Sequence, residues 1–238
     1  MINEINYEAY FYLSSSKLNI SIFQLSDQKK IFNNQIQIKT ENVNSIDFGK
    51  IDEFLEKNIS SIEKLTKNFL NSIYLIIENN NSIPIDVSLK INNDGNLIEK
   101  KDVQYLLIDA KQQIIKSYEN STINHIIIKN YNFDENSFSY FPKNKTCKQF
   151  SIDMRFICLP NKIIKKLNDL FAKNQISINK IICAKYLRSL LEYNEMENED
   201  ICKMGFKINR GLNTNEVILK PRNHQKKGFF EKFFHFFQ

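Results

Sequence analysis

Three runs rich in aromatic and β-branched residues, AYFYLS, KLNISIFQL and IFNNQIQIK, open the 238-residue chain, and a helical period then takes over. Partial two-residue alternation, with the turn-like SDQK before the third run, makes them strands of a meander. From Ile51 the apolar spacing changes to three and four. Ile51, Phe54, Leu55, Ile59, Ile62, Leu65 and Phe69 then share one face of a helix of about twenty residues, with Asp47 and Asp52 near its positive end. A helix with one apolar stripe must bury it, and the preceding sheet is the surface at hand. The opening third of the chain is therefore committed to α+β packing.

SIYLIIEN is an apolar run that suits a covered strand, and IPIDVSLKI alternates cleanly before the turn NNDG. A second helix carries Val103, Leu106, Leu107, Ala110, Ile114 and Ile115; NHIIIKNYNF, a polar loop with Pro142, and FSIDMRFICLP follow. Strand, helix, strand, strand from 83 to 160 describes a compact α+β unit. NKIIKKLNDLFAKN is then helical, KIICAKYL is either a strand or the start of a helix, and the stretch to Glu192 is helical. From 194 to 225 the chain is polar and irregular and reads as linker. There is no internal repeat.

Lys and Arg exceed Asp and Glu by 33 to 27, a net charge of +6. That is too dilute for a dedicated nucleic-acid binder. Much of the excess is local: Lys220, Arg222, Lys226, Lys227 and Lys232 oppose only Glu231 after residue 219. The abundance of Asn, Ile and Lys is what A+T-biased codons give. Cys147, Cys158, Cys183 and Cys202 are far apart and form no CxxC pair, so they are expected buried and reduced, as in a cytoplasm, rather than in a zinc site or disulfide framework. No apolar stretch approaches the ~18 residues of a membrane span, so membrane contact is expected to be peripheral.

That contact is expected at the C-terminus, KKGFFEKFFHFFQ. On a helix, Phe229, Phe230, Phe233, Phe234, Phe236 and Phe237 fall within an arc of roughly 160°, with Glu231, Lys232, His235 and Gln238 on the remainder. Arg222, Lys226 and Lys227 precede them, where anionic headgroups would lie. Partial burial of each ring gives on the order of 1 kcal/mol, below the ~1.5–3 of full burial, and each cation gives about 1 on an anionic leaflet. Ordering each residue costs about 1 kcal/mol or more. One tail binds weakly, and several on one assembly bind firmly. Docking on the chain's own body, or in another protein's groove, are the competing uses of such a tail.

The segment YLSSSKL, from Tyr12 to Leu18, resembles the first phosphate loop of the bacterial division protein FtsA, an actin-like ATPase whose turn runs Asp-Ile-Gly-Ser-Ser-Lys-Ile. Tyr12 stands at the Asp position and Ser14 at the Gly position, followed by Ser15, Ser16 and Lys17. A tyrosine cannot organise a cation, and a side chain at the Gly position disfavours close backbone approach to phosphate. The middle of the chain is also similar to the family's inserted subdomain. Asp102 and Val103 begin a helix, His125 opens a strand, Tyr131 and Asp134 sit at a turn, and Pro142 precedes the return strand. The family's Pro two or three residues after the His and the Gly of its Pro-containing loop are missing. Past Glu192 the second phosphate loop and the adenosine-binding half have no counterpart.

The resemblance implies an α+β fold: a partial actin-like (ribonuclease H-like) subdomain from 1–82 and 161–193, an inserted SHS2-type subdomain at 83–160, a linker at 194–225, and an amphipathic membrane-targeting helix at 226–238. It implies a non-catalytic division adaptor without cofactor, metal or nucleic acid, peripheral on the inner face of the cytoplasmic membrane. Its implied partners are the ring protein FtsZ or downstream division proteins, with self-association. PilM-type pilus platforms share the inserted subdomain and are an alternative. A single-strand nucleic-acid module built on Tyr140, Phe141, Lys143, Lys145 and Lys148 is another. His125, His224 and His235 are too scattered for a triad or metal site, and the run Glu195, Glu197, Glu199, Asp200 lacks calcium-loop spacing and reads as solvated linker.

Overall fold

The computed structural model describes residues 5–38, 46–79, 81–193 and 200–217. In chain order the elements are β1 (Tyr7–Leu13), β2 (Lys17–Gln24), β3 (Lys30–Gln37), α1 (Phe48–Thr66), β4 (Ser72–Ile77), β5 (Ile83–Asn92) and α2 (Lys100–Ser117). Then follow β6 (Ser121–Phe133), β7 (Asn136–Phe138), β8 (Gln149–Pro160), α3 (Asn161–Lys173), β9 (Ser177–Cys183), α4 (Ala184–Tyr193) and α5 (Ile201–Ile208). The segment KIICAKYL is both strand and helix, changing at Cys183. Two compact units result. The first takes the chain up to Ile85, Lys111–Asn124 and Ile157–Leu212; the second takes Asp86–Ala110, His125–Phe156 and the segment from Asn213.

The first unit is built on a sheet in the order β3-β2-β1-β4-β9. The meander β1-β2-β3 is antiparallel, and β4 and β9 add in parallel to β1. Parallel addition needs a covering crossover, and α1 supplies it between β3 and β4. Asp47 caps α1 by accepting from the Lys50 amide at 3.1 Å. The helix ends where Lys67 turns left-handed at φ 56°. Ile51, Phe54, Leu55 and Ile62 pack with Leu167, Leu170 and Phe171 of α3 over Phe11, Leu18, Ile20 and Leu75. Because the helix stops at Thr66, Phe69 falls outside the stripe predicted for it and is 77% exposed.

Part of the predicted linker is instead core. Asp200 caps α5 by accepting from the Cys202 amide at 2.9 Å and pairs with Lys30 at 2.6 Å. Met204, Phe206 and Ile208 are buried, and Phe206 stacks on Phe23 with ring centroids 4.6 Å apart. Gly205 permits this approach, since a Cβ there would lie 2.7 Å from Ile76 Cδ1 and 3.3 Å from Tyr10 Cδ1. The helix packs on the sheet because its apolar residues recur at helical spacing, which the acidic run before it conceals. The remainder of the predicted linker, 194–199 and 218–225, lies outside the described residues.

The second unit has a sheet in the order β5-β8-β6-β7. Its strands alternate half-buried and exposed positions along β5, as a sheet with one wet face requires. The unit differs from the single insertion 83–160 predicted for it, because Lys111–Asn124 belong to the first unit and the segment from Asn213 belongs to the second. That segment adds to β6: the Ile128 amide donates to Asn215 at 2.9 Å, and the Val217 amide to Ile126 at 2.8 Å.

Candidate functional site

The turn between β1 and β2 is the position where the sequence suggested a degraded phosphate loop. Ser14 is buried. Its hydroxyl accepts from the amides of Lys17 at 2.9 Å and Ser16 at 3.3 Å and donates to the Lys17 carbonyl at 3.1 Å. The Ser14 amide also donates to that carbonyl, at 2.9 Å. The turn thus satisfies the amides of Ser14, Ser16 and Lys17 from within. A phosphate cradle needs amides of this kind free to point at the ligand. Ser15 and Lys17 are half-buried and Ser16 is exposed.

Tyr12, at the position of the family's Asp, is buried, and its hydroxyl donates to Glu78 just past β4. Arg188 on α4 donates to both groups, reaching Tyr12 Oη and Glu78 Oε2 at 2.9 Å each. Burial, then the hydrogen bond to the Glu78 carboxylate, pushes the phenol up to about 12. Tyr12 therefore remains a neutral donor at physiological pH, and Arg188 neutralises the carboxylate that it serves. The three groups come from residues separated by 66, 110 and 176 positions. No local motif announced Glu78 or Arg188, and only the sheet brings them to Tyr12.

In the second unit Asp102, His125 and Asp134, singled out by resemblance, have structural duties. Asp102 accepts from the Glu99 amide at 2.8 Å at the head of α2. His125 is buried with Glu216, Nδ1 to Oε1 at 2.9 Å. Asp134 accepts from the amides of Lys148 and Gln149, both at 2.9 Å. Of the residues considered for base stacking, Phe141 packs against Tyr131 instead, and Lys145 lies over the Phe138 ring at 4.3 Å. Tyr140 is exposed. Glu216 was not foreseen, because it sits in a polar stretch without periodicity.

All four cysteines are buried, and burial raises the thiols of Cys147, Cys158 and Cys202. Among the described residues no three His, Cys, Asp or Glu side chains converge in a metal-holding group, and no helix is long and apolar enough to cross a membrane. Arg222, Lys226, Lys227, Phe229, Phe230, Lys232, Phe233, Phe234, Phe236 and Phe237 lie outside the described residues.

No family model matches the sequence. Curated phenylalanine–tRNA ligase beta subunits of Mesomycoplasma hyopneumoniae strains J and 232 are each 29% identical over 144 residues, 55% of this chain and 20% of theirs. The chain spans about a fifth of the length of these curated relatives. Among solved structures, a chain of the PilM–PilN type IV pilus biogenesis complex is similar with a TM-score of 0.50 at 6% identity, covering 79% of this chain and 50% of that one. The cytoplasmic domain of EpsL, an inner membrane component of the Vibrio cholerae type II secretion system, has a TM-score of 0.36 at 10% identity over 76% of this chain and 57% of its own. The likeness to the pilus complex is one of fold, the actin-like fold.

Proposed function

We propose that this chain is a non-catalytic adaptor that keeps an actin-like fold as a platform on the inner face of a cytoplasmic membrane, in the manner of PilM in its complex with PilN. The observation that carries the reading is the closed turn at Ser14 beside the Tyr12–Glu78–Arg188 cluster. The turn's amides are satisfied by the chain's own groups, and Tyr12, at the position of the Asp in the resembled loop, is held by Glu78 and Arg188. A retained scaffold with a filled phosphate turn suits a protein that is read by partners rather than one that turns over ATP. Residues 226–238 serve as a membrane foot, with the rings of Phe229 to Phe237 in the interface and Arg222, Lys226 and Lys227 at the headgroups. The partners are proteins of a membrane assembly.

The division role, with FtsZ or downstream division proteins as partners, is the second reading. It is favoured by the sorting of six phenylalanines behind a basic run, a tail the sequence shares with FtsA. Thermal unfolding with and without MgATP tests the adaptor reading: no shift is expected, and stabilisation by MgATP would overturn it. Co-sedimentation with anionic vesicles tests the foot. The full chain is expected to sediment, whereas a chain ending at His224, or one with Phe233→Asp and Phe234→Asp, stays in solution with an unchanged melt.

A further inference from the structure

Among the described residues, the sheet of the first unit has β3 and β9 at its edges, and that of the second has β5 at one edge. An open edge is a template for another strand unless charge or proline blunts it. Lys180 interrupts β9, and Pro84, Asp86 and Lys90 interrupt β5. From Ile31 to Gln37, β3 has neither charge nor proline, and its side chains are largely exposed. The pairing of Leu18, Ile20 and Ile22 with Ile36, Asn34 and Phe32 puts those three residues of β3 on the α1 face. Asn34 donates to Asn58 of α1 at 2.7 Å, and on the opposite face Asn33 accepts from Ser21 at 2.8 Å. Both amides are thereby drawn toward their own chain.

We propose that β3 is a self-association edge, which pairs antiparallel with β3 of a second copy about a two-fold axis at Asn34. A two-fold axis normal to the sheet keeps both α1 faces on one side, so paired residues must come from the same face. With Asn34 opposite Asn34, Phe32 meets Ile36 of the other copy twice on the α1 face, and Asn33 meets Gln35 twice on the other. Centring on Asn33 sets Phe32 against Asn34, and centring on Gln35 sets Ile36 against Asn34. Over the five residues from Phe32 to Ile36, the Asn34 register matches apolar with apolar and amide with amide, which neither of these neighbouring registers does. Ile36, 38% exposed, gains a neighbour in Phe32 of the second copy. An edge of this length is small beside a standard interface of about 800 Å² per partner, so the dimer is reversible.

Sedimentation velocity of the full chain over a concentration series is expected to show a monomer–dimer equilibrium. Ile36→Lys places a charge against Phe32 and raises the dissociation constant about tenfold or more. Gln35→Lys, from the opposite face, does the same and decides the matter if Ile36→Lys alters the circular dichroism. Under diamide, Asn34→Cys yields a covalent dimer, whereas Gln37→Cys, facing Ile31, does not. A chain that is monomeric throughout overturns the proposal. So does a dimer that both lysine variants leave intact, or one that crosslinks equally through position 37.

Discussion

The two sheets bury their strands in different ways. In the first unit β1 is buried without interruption from Ala9 to Leu13, and β2 from Leu18 to Phe23, because helices cover both faces. In the second unit β5 alternates throughout, and its wet face carries a polar lattice. Arg155 forks onto Asp86 at 2.8 and 2.7 Å, Lys129 joins at 3.0 Å, and Asn132 reaches Asp153 at 3.0 Å. Strand β8 records both regimes: it alternates from Gln149 to Arg155, then runs buried from Phe156 to Leu159. The change falls where β8 passes from the second unit to the first. Covering one face or two sets the strand pattern, and with it where mutation is costly.

The largest effect should come from the sheet covered on both faces. Phe11, fully buried and edge-on to Phe54 and Phe171, should cost about 3–5 kcal/mol in urea unfolding as Phe11→Ala. A loss under 1 would mean that the first unit's core is not set by this sheet. Next, His125→Ala removes one hydrogen-bond partner of the buried Glu216, and a loss of about 2 kcal/mol is expected. A neutral result would show that the second unit does not depend on this buried His–Glu contact.

Gly205→Val tests the close approach of α5. A side chain there meets Ile76 and should cost about 2 kcal/mol despite the better helix propensity of valine. Equal stability would place α5 away from the sheet.

The smallest effect belongs to the wet face. The hydrogen bond from Arg155 holds the Asp86 carboxyl well below the usual carboxylate range. A depressed folded value stabilises the protein above the ordinary carboxylate pKa and is lost as pH falls through the folded one. Asp86 is about half exposed, so solvent screening confines the contribution to under ~1 kcal/mol. Asp86→Asn should therefore change the melt little at neutral pH and flatten its decline in acid. A drop of several degrees at pH 7 would give the polar lattice a weight comparable to the buried core.

Much of this was legible because it is local. The meander, α1, the alternation of β5, α2 and the long β8 follow from apolar periodicity, which a single element imposes on its own residues. That Tyr12 and Ser14 stand in the turn between β1 and β2 was legible too, since strand, turn and strand follow from local alternation. Helix α5 was missed because eight residues behind an acidic stretch give periodicity little room, and its docking depends on one glycine meeting Ile76 and Tyr10. Phe69 was overassigned to the α1 stripe because a helix end is decided by capping at Lys67 rather than by the apolar pattern alone, and Leu65, within the helix, is partly exposed because Thr66 takes the buried position beside it.

The sequence by itself determined the class of fold and the faces its longer elements bury. Only the tertiary structure decided how the space at the mouth of the sheet is used. Ser14 closes the turn on its own amides, and Glu78, just past β4, and Arg188, within α4, arrive from distant parts of the chain to hold Tyr12. It also decided that Glu216 meets His125 and that β3 is an edge. These are pairings between residues far apart in the chain, fixed by which surfaces bury together, and no short-range pattern encodes them.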